Sequence, residues 1–233
     1  MKTWSICFLA TFLVTAALAQ GSDTERCAKG EGEGAIAACS EIIAAGQGAD
    51  IAWALFDRAR AYFNAKMYGS AISDLTDLLQ TKPDDVEALE NRGLAFQALD
   101  DYQHAIGDFG RVTELQPASA KGFRERCWAR AAWNRDLDDA LEDCDHALSL
   151  KPGDALALDA RCFVEFRKTA YAAVVSNCSA ALASNPSLAS SYYLRGVVRR
   201  KSGDPIRGDA DIDAARARDA EIARTFALYG VKP

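Results

Sequence analysis

Apolar residues recur along this chain at the three- and four-residue spacing that lines one side of a helix. The stretches AISDLTDLL, AIGDFGRVTEL, ALEDCDHALSL and VVSNCSAAL each carry such a face. Each is preceded by another: ALFDRARAYF, ALENRGLAF, FRERCWARA and ALDARCFVEF, with YYLRGVVRR opening one more unit. Turn-forming residues separate the members of each pair, among them Met67-Tyr68-Gly69, Asp100-Asp101, Asn134-Arg135-Asp136 and Gly203-Asp204-Pro205. A proline closes the second stretch at Pro83, Pro117, Pro152 and Pro186. The pattern predicts helix, tight turn, helix and proline break, repeated. No alternating run of β-branched residues competes with it, so the expected class is all-α.

Those prolines are 34, 35 and 34 residues apart. Aligning on them places small residues in register: Ala59, Gly93 and Gly196 on the first helices, Ala71 and Ala105 on the second. A 34-residue helical hairpin of this kind resembles the tetratricopeptide repeat (TPR) family. The residues carrying the match are Gly93, Phe96, Ala105, Phe109 and Pro117 in one unit, and Leu55, Ala59, Tyr62, Ala71, Leu75 and Pro83 in another. The third unit has one extra residue around Ala131–Trp133, and Cys127 where the family prefers glycine. The resemblance implies an α-solenoid, a right-handed superhelix of about five hairpins with a capping helix at each end. The expected boundaries are 20–51 for an N-terminal partial hairpin, then 52–85, 86–119, 120–154, 155–188 and 189–222 for the repeats. A C-terminal capping helix and tail would occupy 219–233. The physical reason for stacking is that one amphipathic hairpin cannot bury both its faces alone.

Composition narrows the chemistry. Of 233 residues, 49% are hydrophobic and 26% charged, the balance of a folded globular protein. Asp plus Glu outnumber Lys plus Arg, 33 to 27, and no basic block occurs, which argues against nucleic acid as a partner. No G-x-S-x-G, H-E-x-x-H, phosphate-binding glycine loop or dinucleotide fingerprint occurs. The expectation is a protein that is not an enzyme and holds neither metal nor cofactor.

The first residues read as a leader. Lys2 precedes the apolar run ICFLATFLV, and Ala17-Leu18-Ala19 forms a small-residue end, so residues 1–19 are expected to be a signal peptide cleaved before Gln20. The run is shorter than the ~20 residues a spanning helix needs. The mature chain is therefore expected to be exported, periplasmic or extracellular, with no membrane span.

Export gives the remaining cysteines a meaning. Residues opposite one another in a helical hairpin lie equidistant from its turn. Cys127 and Cys144 flank the turn at Arg135–Asp136, Cys162 and Cys178 are centred on residue 170, and Cys27 and Cys39 straddle the segment GEGEG. The expected disulfides are Cys27–Cys39, Cys127–Cys144 and Cys162–Cys178, each worth about 3 kcal/mol in the loop-entropy description.

Two polar series share the period. Arg58, Arg92, Arg126, Arg161 and Arg195 precede the small-residue position, and Asp74, Asp108, Asp143, Asn177 and Asp211 occupy the matching place on the second helix. Recurrence in every unit points to Arg–Asp contacts that fix register rather than to acid–base chemistry. His104 and His146 stand at unrelated phases and read as solvated surface residues.

In TPR proteins the first helices line a concave surface, so the resemblance implies where a ligand would sit. The inward positions are Trp53, Phe56, Arg60 and Phe63 in the first unit and Glu90 and Leu94 in the second. They continue with Arg124 and Trp128 in the third, Phe163 and Phe166 in the fourth, and Tyr193 and Arg200 in the fifth. An aromatic surface with a few charges suits an extended or helical peptide. The leading expectation is a non-enzymatic scaffold binding a protein or peptide partner in the cell envelope or periplasm. The alternative is a lipid, glycan or small-molecule carrier using the same surface. An accessory subunit that docks through its convex face or its ends is a third reading.

Overall fold

A computed structural model describes residues 23–46 and 51–232. The expected leader lies outside the described residues. Those residues are helical throughout, with no strand among them. The chain divides into two compact units, one up to Leu99 and one from Asp100.

The first unit contains α1 (23–28), α2 (Gly32–Ala45), α3 (Ala52–Asn64), α4 (Tyr68–Thr81) and α5 (Val86–Ala98). Each helix from α2 onward packs on the next, and α3 also touches α5. Ala59 of α3 and Leu75 and Leu78 of α4 are buried, and Ala54 of α3 packs with Cys27, Ala38 and Cys39 of α1 and α2.

The second unit holds α6 (Tyr102–Leu115), α7 (Ala120–Trp133), α8 (Leu137–Leu150) and α9 (Ala155–Arg167). It continues with α10 (Tyr171–Ser184), α11 (Ala189–Lys201), α12 (Pro205–Arg218) and the short α13 (Ile222–Leu228). Consecutive helices pack as hairpins, and α9 also touches both α7 and α11, forming a layer of first helices. The extra residue expected near Ala131–Trp133 lengthens α7 to 14 residues, against 13 for α3, α5, α9 and α11.

Local chemistry sets the ends of these elements. Asp85, Asp101, Asp154 and Asp204 accept backbone N–H groups at the starts of α5, α6, α9 and α12, as side chains with short carboxylates do. The phased prolines follow the last turn of α4, α6, α8 and α10, where a residue without an N–H cannot prolong a helix. At the hairpin turns the backbone enters the left-handed region at Lys66, Asp100, Asn134, Asp136, Thr169 and Gly203. Gly196 marks a close helix approach: a Cβ there would stand 2.8 Å from the Gly208 carbonyl oxygen and from the Ile212 side chain.

The periodic arginines clamp the hairpins. Arg58 donates to both Asp74 carboxylate oxygens at 2.7 and 2.8 Å, Arg126 to Asp143 at 2.9 and 2.6 Å, and Arg195 to Asp211 at 2.8 Å twice. The same guanidinium groups reach a hydroxyl on the preceding helix: Ser40 from Arg58, Thr113 from Arg126 and Ser179 from Arg195, at 2.9–3.1 Å. Each therefore ties its own hairpin to the one before. In the fourth repeat Asn177 replaces the aspartate and donates to Glu165 at 2.6 Å, and Arg161 turns to Asp145 at 3.0 Å.

Candidate functional site

The twelve inward positions expected from the sequence separate into three kinds of surroundings. On α3, Trp53 is 38% exposed and Phe56 half-buried. Together they wall a cavity of about 240 Å³ completed by Asp57, Leu78, Lys82, Asp85 and Glu87. Burial raises the Asp57 carboxyl above its ordinary range, and the Arg60 guanidinium, 2.9 Å away, opposes that shift. Parts of α3, α4 and α5 thus hold an open aromatic surface with acidic edges.

A second group serves the fold. Arg60 donates to the Ala28 carbonyl at 3.0 Å and lies over Gly30, where any side chain would collide with it. Phe63 meets Tyr68 edge-on across the first hairpin turn, with centroids 5.2 Å apart. Glu90 is buried and Leu94 half-buried. Arg124 reaches Asp154 at the start of α9, 3.3 Å away, and Phe166 lies near Tyr171 across the fourth hairpin turn. Arg200 is exposed and pairs with Asp209 at 3.4 Å.

The third group comes together in the second unit and is covered. Trp128 of α7 and Phe163 of α9 have ring centroids 5.1 Å apart, and Phe163 and Tyr193 are almost fully buried, at 0% and 1% exposure. What covers them is the chain's own α13. Phe226 packs on Phe163 at 5.3 Å and on Tyr193 at 5.2 Å, and Tyr229 packs on Phe163 at 5.6 Å. Ile222 and Val231 are buried with them. The terminal helix does more than end the stack; it lies against the inward positions of α9 and α11.

A polar cluster receives the far end of this helix. The Tyr102 hydroxyl donates to Asp100 at 2.5 Å and interacts with the Tyr229 hydroxyl. Burial, reinforced by that carboxylate, pushes the Tyr102 phenol well up, and burial pushes Tyr229 up as well. Arg167 lies over the Phe163 ring at 4.8 Å and donates to the carbonyls of Ala131 and Ala132 at 2.8 and 3.2 Å. Phe226, Tyr229, Tyr102 and Arg167 are absent from the sequence-derived site. The signal that could have found the first two is the apolar spacing Ile222, Phe226, Tyr229, which marks one face of a helix.

The cysteines meet as expected. Cys27 and Cys39, Cys127 and Cys144, and Cys162 and Cys178 stand at disulfide distance, with Cα atoms 4.8, 5.6 and 5.4 Å apart. All six are buried. The last two pairs lie inside single hairpins, joining α7 to α8 and α9 to α10. Among the described residues no helix is long and apolar enough to cross a membrane.

No family model matches the chain. Serine/threonine-protein phosphatase 5 of Rattus norvegicus is 31% identical over 97 residues, which are 42% of this chain and 19% of the relative. The chain thus spans about one fifth of the length of the curated relatives it matches. Among solved structures, a tetratricopeptide repeat protein from Parabacteroides merdae superposes with a TM-score of 0.70 at 20% identity, covering 92% of this chain and 84% of that one. YrrB, described as a TPR protein with an unusual peptide-binding site, superposes with a TM-score of 0.54 at 13% identity, covering 83% of this chain and 98% of its own. Consecutive helical hairpins of 34-residue period, held by these packing contacts and shared with these structures, give the chain the tetratricopeptide-repeat fold.

Proposed function

We propose that this protein is a non-enzymatic scaffold that binds a protein or peptide partner in an oxidising, exported compartment. The observation that carries the reading is the open face of α3, where Trp53 and Phe56 stand beside a cavity at the junction with α4 and α5. Aromatic anchors in a partly desolvated pocket are the usual carriers of binding energy at protein interfaces. The cavity, at about 240 Å³, is smaller than the ~300–1,000 Å³ of pockets that enclose small molecules, which favours a side chain of a peptide over a free lipid or glycan. The six paired cysteines support the oxidising compartment, because such pairs persist outside the reducing cytosol. The peptide-binding site named for YrrB, a protein of like fold, is in keeping with this reading.

Selection of a displayed peptide library on the oxidised full chain tests it. Enriched peptides are expected to lose at least tenfold in affinity to a Trp53→Ala/Phe56→Ala variant. Failure to enrich any sequence, or enrichment indifferent to both substitutions, overturns the proposal. Native mass spectrometry of purified protein carrying a lipid or sugar would favour the carrier instead.

A further inference from the structure

We infer that the inward face of α7, α9 and α11 is a helix-binding groove whose resting occupant is the chain's own segment 222–231. This goes beyond the open α3 face and does not depend on it.

The segment sits as a docked ligand does. Its anchors are Ile222 and Phe226, which are buried, and Tyr229, which is half-buried, spaced i, i+4 and i+7, the reading frame of an amphipathic helix laid into an apolar groove. The floor beneath them comes from Phe163 of α9 and Tyr193 of α11, with Trp128 of α7 packed against Phe163 beside it. That floor is built without the segment. Hairpins α7–α8, α9–α10 and α11–α12 pack on one another directly, and two of them carry a cysteine pair.

The occupant, by contrast, is lightly held as an element. α13 has seven residues and no side-chain cap at its start, and a helix of that length does not persist on its own in water. Gly230, at φ +75°, turns the chain just beyond it. Its exposed face, including Leu228, makes no part of the seat. A partner that fits this groove is therefore a helical segment presenting an aromatic residue, with a second aromatic three residues on, to the same floor. The tyrosine cluster at the far end, Tyr102 with Asp100, gives that second position a polar seat suited to a phenol.

Tethering makes the resting occupant hard to displace, because a linked ligand acts at millimolar effective concentration. The test weakens it in the full chain. A fluorescent peptide with the sequence of residues 221–233 is titrated by anisotropy against the oxidised protein and its Phe226→Ala/Tyr229→Ala variant. The variant is expected to bind the peptide at least tenfold more tightly than the unaltered chain, and to lose that gain when Phe163→Ala is added. A scrambled peptide should bind neither. Equal binding by variant and unaltered chain overturns the inference, as does loss of the variant's cooperative helical unfolding, which would make α13 an inseparable part of the core.

Hydrogen exchange on the unaltered chain decides the matter independently. Amides of 224–230 are expected to exchange together, at least tenfold faster than those of α9 and α11. Exchange at the rate of α9 and α11 overturns the inference. The peptide library selected through Trp53 and Phe56 reads the α3 cavity in the first unit, so either proposal can fail alone.

Discussion

Phe226 meets Phe163 nearly edge-on, with ring centroids 5.3 Å apart and an interplanar angle of 64°. The contact joins the last helix to a first helix near the middle of the second unit. Phe226 is 1% exposed, whereas Leu228, two residues on, is 74% exposed. Truncating a buried phenylalanine removes its transfer free energy and leaves a cavity, at about 3–5 kcal/mol. Phe226→Ala is expected to lower stability by about 3 kcal/mol in urea unfolding of the oxidised chain. Leu228→Ala is expected to change it by less than about 0.5 kcal/mol. Equal effects would mean the ring contact contributes nothing.

Asn177 interrupts the aspartate series, and restoring the pattern is expected to harm the protein. Its amide donates to Glu165, whose side chain is buried, and that Glu165 carboxyl is already raised chiefly by burial. Asn177→Asp replaces a donor with a second carboxylate and leaves two like charges together. A loss of about 1–3 kcal/mol at pH 7 is expected. Most of it should return in the Asn177→Asp/Glu165→Gln double variant, which the unfolding midpoints of the four chains would report.

Asp159 supplies a pH dependence with a defined sign. It is buried in α9 and accepts hydrogen bonds from Ser190, at 2.6 Å, and from Ser191. Burial is the dominant effect and pushes its carboxyl up from 3.8 to about 6, against the opposing pull of both serines. The folded state thus holds the proton more tightly than the unfolded chain. Its stabilising contribution is complete below pH 3.8 and disappears as pH rises through 6. Stability should fall across that window by up to about 3 kcal/mol from this group. Asp159→Asn cannot ionise and should flatten the pH 4 to 7 stability profile; an unchanged slope would refute the assignment.

The two cysteine pairs within hairpins enclose 17 and 16 residues of sequence separation. Closing loops of that length stabilises by about 3 kcal/mol each in the loop-entropy description. Cys127→Ala/Cys144→Ala should therefore unfold at lower urea than the unaltered oxidised chain, and adding a reductant should lower the unaltered chain further. Six iodoacetamide-reactive thiols in unreduced exported protein would show that the pairs do not form.

Much of the fold is legible in the sequence because a repeat states each rule several times. Four phased prolines and the small residues at Ala59, Gly93 and Gly196 identify the hairpin period before any contact is known. The equidistance of Cys127 and Cys144 from one turn is enough to pair them. The second partner of each arginine is not legible in the same way. Ser40, Thr113 and Ser179 do not keep a common spacing from their arginines, since a hydroxyl one turn away reaches the same guanidinium. The candidate site was legible only as a set of inward positions. Phe163 and Tyr193 fit an exposed aromatic surface by register, yet they are buried by a helix that belongs to no repeat. Periodicity describes what recurs; α13 occurs once.

The cysteine pairs within single hairpins bear on how the chain responds to tension. No covalent bridge between α7 and α12 links one hairpin to another, so a pull on both ends can peel hairpins apart without breaking a bond. Each bridged hairpin would nonetheless keep its enclosed residues from paying out, withholding roughly 55 Å of contour apiece. Stretched in a force spectrometer, the molecule would lengthen in uneven steps, short where sulfur joins the helices and long where it does not.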